Sequence, residues 1–159
     1  MRIDKPRRVE RTYTQRLVAD PSRVFSLLCP VRETEWIAGW EPLVVLSHSG
    51  IAEADCIFIT KSFPCNAVWY VVRHEPEAGS LEMIKVTPDV TACRLRIDLV
   101  PAEGGSEATI TYMHTSLGSD GDAYVESFTE EFYRQFMQDW ESRLNHYLTT
   151  GEALRPADE

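Results

Sequence analysis

Tyr112 and His114 stand two residues apart in the stretch 107–116, whose inward set reads Ile110, Tyr112 and His114 and whose outward set reads Thr109, Thr111 and Thr115. A spacing of two on a strand puts both side chains on one face. A phenol and an imidazole are therefore offered to the same space, where the imidazole could serve as acid or base and the phenol could orient a carbonyl. A buried, hydrogen-bonded core histidine is the plainer use of the same residue. Other catalytic signatures are missing. His48, His74, His114 and His146 form no H-x-x-x-H pair or Cys/His cluster, so no metal is expected. There is no G-x-S-x-G, and Cys29 has no evident His or acidic partner. Without a G-x-G-x-x-G run or a P-loop, no cofactor is expected either.

Aromatic residues are the second resource. Val125, Phe128, Phe132, Phe136, Trp140, Leu144 and Tyr147 recur at steps of three or four, the period of one helix face. Trp36 and Trp40 flank Gly39, where either indole could cover a site and donate its N–H or simply anchor the local chain. Glu33 and Glu35 lie beside Arg32 on a short amphipathic segment and are read as solvated, with no catalytic role.

These residues must be positioned by strands and helices that punctuation makes legible. Residues 9–18 alternate as a half-buried strand, with Tyr13, Gln15 and Leu17 on one side. Asp20-Pro21 is helix-start chemistry, and Val24, Phe25, Leu27 and Leu28 give a short helix ended by Pro30. A second short helix is predicted over 31–37, closed by Ala38-Gly39. Strands follow at about 43–49, 54–63, 67–75, 80–87, 91–100 and 107–116, separated by Gly, Pro and Asn turn signals, so an antiparallel meander is expected. Phe58 and Trp69 are taken as inward. In 91–100, Cys93, Leu95, Ile97 and Leu99 alternate with Arg94, Arg96 and Asp98, the pattern of a sheet covered on one side. One helix of 27 residues is predicted over 122–148, with Gly151 as its stop and a frayed tail over 152–159.

Composition removes several classes of function. The 159 residues are 43% hydrophobic and 26% charged, ordinary for a single globular domain with its own core. A net charge of −9 opposes nucleic-acid binding, which rests on cationic groups displacing counterions. The basic cluster Arg2, Lys5, Arg7, Arg8 and Arg11 is read as a solvated arm. No apolar run approaches the length of a membrane span, so no stable membrane insertion is expected. The start lacks an apolar signal core and the four cysteines are scattered, so a cytoplasmic protein with reduced thiols is expected.

The order strand, two short helices, six-stranded meander and long C-terminal helix resembles the helix-grip fold of the START-like, or SRPBCC, superfamily. That superfamily includes the birch pollen allergen-like proteins and the polyketide cyclase/dehydrase families. The segments Val24–Trp40, Trp69–Val72 and Trp140–Leu148 add to the likeness, which covers residues 8–150. The resemblance implies an α+β domain in which a curved seven-stranded antiparallel sheet grips the C-terminal helix around a cavity. It also implies pairing of the first and last strands, which would bring Tyr13 beside Tyr112 and His114. Phe128, Phe132, Phe136 and Met137 would then face Leu95, Ile97, Ile110 and Tyr112, with Trp36 and Trp40 at the mouth and Phe58 and Trp69 on the wall.

The function so implied is binding or transport of a small hydrophobic or aromatic molecule, such as a lipid, sterol or polyketide-like compound, by a monomer or homodimer. The alternative is a polyketide cyclase or dehydratase using His114 and Tyr112. A third possibility is an adaptor that binds another protein through its acidic surface or basic arm.

Overall fold

Seven strands form one antiparallel sheet in the order β1-β7-β6-β5-β4-β3-β2. They are β1 Arg8–Leu17, β2 Val44–Leu46, β3 Ile57–Thr60, β4 Ala67–Glu75, β5 Ser80–Thr87, β6 Thr91–Ala102 and β7 Gly105–Ser116. Hairpins join β2 through β7 in sequence, while β1 returns to pair with β7 along its full length, Arg8 opposite Thr115 and Leu17 opposite Ser106. This computed structural model describes residues 1–156, so the end of the expected tail, 157–159, lies outside the described residues.

Alternation decides which face is inside. In β6 the odd-numbered residues Cys93, Leu95, Ile97 and Leu99 are buried, and Arg94, Arg96 and Asp98 are exposed. In β7 the buried set includes Ile110, Tyr112 and His114. Phe58 and Trp69 also point inward, at 2% and 9% exposure. The expected strands 43–49 and 54–63 shrink to three and four residues, because only Val44–Leu46 and Ile57–Thr60 are in register with a neighbour.

Helix α1, Pro21–Leu27, begins where Asp20 accepts a hydrogen bond from the Arg23 amide at 2.9 Å. The second short helix is only one 3-10 turn, Arg32–Glu35. Its small size is offset by indole anchors. Trp36 is fully buried and donates from Nε1 to the Leu27 carbonyl at 3.0 Å, and Trp40 donates to the Pro30 carbonyl at 2.8 Å.

The single 27-residue helix is corrected to two: α2 Ser119–Ser127 and α3 Glu130–Thr150. The break follows from Thr129, whose side chain accepts from the Phe132 amide at 3.1 Å, with Glu130 and Glu131 in the first turn of α3. At the break, Arg11 Nε donates to the Phe128 carbonyl at 3.2 Å, and the Phe128 ring is driven into the interior at 3% exposure. Helix α2 sits tightly on the β5–β6 turn. A Cβ at Gly121 would lie 1.8 Å from the Val90 carbonyl oxygen, so no larger residue fits. Helix α3 ends at Gly151 with φ of 76°, the left-handed cap that glycine adopts without strain.

The face of α3 turned to the sheet is only partly the predicted one: Met137 and Leu144 are expected on it, Tyr133 and Leu148 are not. Tyr133, Met137, Leu144 and Leu148 are its buried residues, while Phe132 and Phe136 are 51% and 39% exposed. Tyr133 and Met137 follow Phe132 and Phe136 by one residue, about 100° around the helix.

Candidate functional site

Between the sheet, α2, α3 and the segment 28–40 lies a cavity of about 350 Å³. Strand register supplies one wall as a single row. Val45, Phe58, Trp69, Lys85, Cys93, His114 and Val9 are opposed in turn from β2 across to β1. Phe58, Trp69, Lys85 and His114 of that row border the cavity. In the next row Met83, Leu95 and Tyr112 oppose one another and continue the wall, and Ile97 extends it into the third. Phe128, Phe132, Phe136 and Trp140 form the helical side, with Trp36 and Trp40 completing the lining.

Two residues expected there, Tyr13 and Ile110, do not border the cavity. They oppose each other in the third row, where α3 lies over the sheet and Tyr133 donates its hydroxyl to the Ile110 carbonyl at 2.5 Å. The helix occupies the space that a ligand would need. Nor do Trp36 and Trp40 offer a free indole N–H, because both are engaged by carbonyls of their own segment. Their contribution to the wall is the ring face.

Packing of flat rings leaves gaps that aliphatic side chains would fill. Phe58 and Trp69 stack at 5.2 Å, and Tyr112 contacts His114, Phe128, Tyr133 and Phe136 with centroids 5.7–6.4 Å apart. A sealed void of 350 Å³ would cost about 8 kcal/mol at roughly 24 cal/mol per Å³. That is comparable with a whole domain's stability. The exposure of Phe132 and Phe136 instead makes this an open cavity, accessible to water or to a ligand.

Several polar atoms facing this space have no partner among the described residues. His114 is 3% exposed, yet neither ring nitrogen makes a hydrogen bond. It lies edge-on to Phe128 at 4.5 Å and to Tyr124 at 4.9 Å. Burial, reinforced by the Lys85 charge, pushes His114 down to about 4, so the ring is neutral near pH 7. The Tyr112 and Tyr124 hydroxyls have no partner among the described residues, and burial raises both phenols above their ordinary range. Trp140 Nε1 is buried and unbonded.

Sequence reasoning missed two charged groups. Glu33, expected to be solvated, borders the cavity with no ion pair or side-chain hydrogen bond among the described residues. It keeps some accessible surface, but the surrounding protein strips enough water from it to push the carboxyl up to about 8. It is largely a neutral acid at pH 7. Its neighbour Glu35 behaves oppositely, held low by hydrogen bonds from Arg32 at 3.0 Å and Tyr147 at 2.9 Å. Lys85 is the second, with its ammonium 4.9 Å from the Trp69 ring centroid and its pKa lowered by burial. The alternation Leu81, Met83, Lys85 in β5 carried the signal for it. Nothing local marked Glu33, whose desolvation depends on remote chain.

Among the described residues there is no group of His, Cys, Asp or Glu able to hold a metal, and no helix is long and apolar enough to cross a membrane. All four cysteines are free, and Cys29, Cys56 and Cys93 are buried. Burial pushes the Cys93 thiol up to about 12, which makes it a poor nucleophile.

No protein-family model matches the chain, and no curated protein matches it. Solved structures do. A norcoclaurine synthase point mutant from Thalictrum, in complex with a transition-state analogue, aligns with a TM-score of 0.65 at 11% identity, covering 93% of this chain and all of that one. Ara h 8.0201 aligns with a TM-score of 0.59 at 11% identity, covering 91% of this chain and 98% of that one. DynU16, from the dynemicin biosynthetic locus, aligns with a TM-score of 0.57 at 17% identity over 91% of this chain and 48% of its own. At such identities the likeness establishes the helix-grip fold.

Proposed function

From a helix-grip fold whose grip is hollow, we propose that this protein binds a small hydrophobic or aromatic molecule between sheet and helix. The observation that carries the proposal is the cavity: about 350 Å³, within the usual range of small-molecule sites, walled mainly by aromatic rings and supplied with unpartnered polar atoms. Apolar walls supply affinity by removing ligand surface from water. His114, Tyr112 and Tyr124 supply orientation, since any polar ligand group that reaches them replaces water without breaking a protein hydrogen bond. Native mass spectrometry of gently purified protein, followed by a thermal-shift screen of lipids, sterols and polyketide-like aromatics, tests this. A retained mass or a ligand-dependent rise in Tm supports it. No retained mass and no stabilisation by any of the three classes overturns it.

One observation favours an enzymatic alternative. The neutral carboxylic acid Glu33 and the phenol Tyr112 are close enough for the carboxylate charge to raise the phenol's pKa, and both face the same apolar space. A proton donor of pKa about 8 suits cyclisation or dehydration of a polyketide-like substrate near neutral pH. Neutral His114 would be a proton acceptor there, although no hydrogen bond joins it to Tyr112. Incubation with a poly-β-keto thioester should then give product that is lost in Glu33→Gln and His114→Ala. Turnover that survives both substitutions removes the proposal.

A further inference from the structure

We infer that the occupant of the cavity is an acid, an alkyl or aromatic body carrying a carboxylate-class anion that seats against Lys85 and His114. This rests on the binding function proposed above and names the chemical class of its ligand.

The argument is one of charge. Lys85 lies on the inner face of the sheet, in register with Cys93 and through it with His114. No carboxylate of the described residues pairs with it, and the Trp69 ring is its recognised cation partner. Two acids also border the cavity, and neither answers Lys85. Asp139 is taken by Arg143 at 2.8 Å. Glu33 makes no ion pair among the described residues. Lys85 stands on the same row of the sheet as His114, two strands away, with no ion-pair partner among the described residues. An ammonium in an enclosed space with no counter-ion is costly, and a ligand that brings a negative group relieves that cost.

His114 completes the seat. It is buried and both nitrogens are free, so a neutral ring can turn one N–H toward an anionic oxygen while Lys85 supplies the charge. The Tyr124 hydroxyl, whose ring centroid is 4.9 Å from that of His114, is a further available donor. The rest of the wall, from Trp69 and Leu95 to Phe128 and Phe136, is apolar and suits the ligand's body.

Matched pairs test the inference. Octanoate against octanol, and 2-naphthoate against 2-naphthalenemethanol, would be titrated by calorimetry at pH 7.5 into the full chain and into Lys85→Met. The wild-type protein should prefer at least one acid over its alcohol by tenfold or more. Lys85→Met should bring that ratio toward one while leaving alcohol affinity within about threefold. The pair showing the preference tells an alkyl from an aromatic body. Equal binding of acid and alcohol to the wild type overturns the inference and leaves the binding function standing, as does a preference that persists in Lys85→Met. Binding of none of the four overturns the inference, and the binding function falls with it only if the native mass spectra and the thermal-shift screen are also negative. Lys85→Gln is a second variant should Met perturb folding, and the wild-type comparison needs neither.

Discussion

The space between sheet and α3 has a filled part and a hollow part, built from the same strands and the same helix. In the filled part Val24, Leu27, Leu81, Ile110, Met137 and Leu144 are at most 2% exposed. Gln15 is buried among them and ties β1 to α3 through Nε2 to the Met137 carbonyl at 3.0 Å, leaving only its Oε1 unbonded. In the hollow part, rings replace aliphatics, Phe132 and Phe136 stay partly exposed, and Glu33, Lys85, Tyr112, His114 and Trp140 present polar atoms without a side-chain hydrogen bond or ion pair among the described residues. Branched aliphatics interdigitate to interior density, whereas flat rings around a curved sheet do not close the gap. The difference teaches that the cavity comes from residue choice along specific rows, and that polar groups were placed where packing stops.

The contrast should be largest in stability. Leu144→Ala in the filled part is expected to cost about 2–5 kcal/mol, because the removed atoms leave a void that close neighbours cannot fill. Denaturant unfolding measures it, and a cost below about 1 kcal/mol would mean the filled part is not tightly packed.

Acidity should distinguish the hollow part next. Folded Glu33 keeps its proton up to about pH 8, whereas the unfolded carboxyl has its ordinary value of 4.5. Between those limits the folded state binds the extra proton, so stability falls as pH rises through them. His114 acts in the other direction. It is ordinarily 6.5 and about 4 when folded, so the unfolded state binds the extra proton in that window and stability falls as pH drops through it. From pH 6.5 to 8 Glu33 acts without His114, and Tm should decline there. Glu33→Gln should flatten that decline, and between pH 4.5 and 6.5, where the two groups oppose each other, His114→Phe should leave the Glu33 contribution alone, so that its Tm gains on the wild type as pH drops. A Tm profile of Glu33→Gln that parallels the wild type from pH 6.5 to 8 would show that Glu33 is hydrated like a surface carboxylate.

The smallest stability effect belongs to the mouth. Phe136→Ala should cost about 1 kcal/mol or less, since the ring is 39% exposed, yet it should change the affinity of any apolar ligand several-fold. Calorimetry with whichever compound the thermal-shift screen identifies would compare the two. A ligand affinity that is indifferent to Phe136 would place the occupied space away from the helical wall.

Much of the architecture was legible because its causes are local. Alternation in 91–100 and 107–116 gave the inward faces of β6 and β7, Asp20-Pro21 gave the start of α1, and Gly151 gave the end of α3. Even the break between α2 and α3 had a local cause in Thr129-Glu130-Glu131, but the aromatic period runs through Phe128 without a gap and hides it. Of the residues expected at the site, Tyr13 and Ile110 lie away from the cavity, in the row where Tyr133 of α3 bonds the Ile110 carbonyl, a placement no local signal carries.

By itself, then, the sequence determined which residues alternate, which recur at helical spacing and where elements begin, since each depends on backbone sterics and capping within a few residues. Only the tertiary structure decided that Tyr133 joins Met137 in the buried stripe while Phe132 and Phe136 stay partly exposed at the cavity, and that Glu33 and Lys85 lose their water. The angle at which α3 crosses the strands, and the closure of 28–40 over them, are set by contacts between residues far apart in the chain. Desolvation depends on that closure, because a charge is stripped of water by whatever packs around it and not by its sequence neighbours.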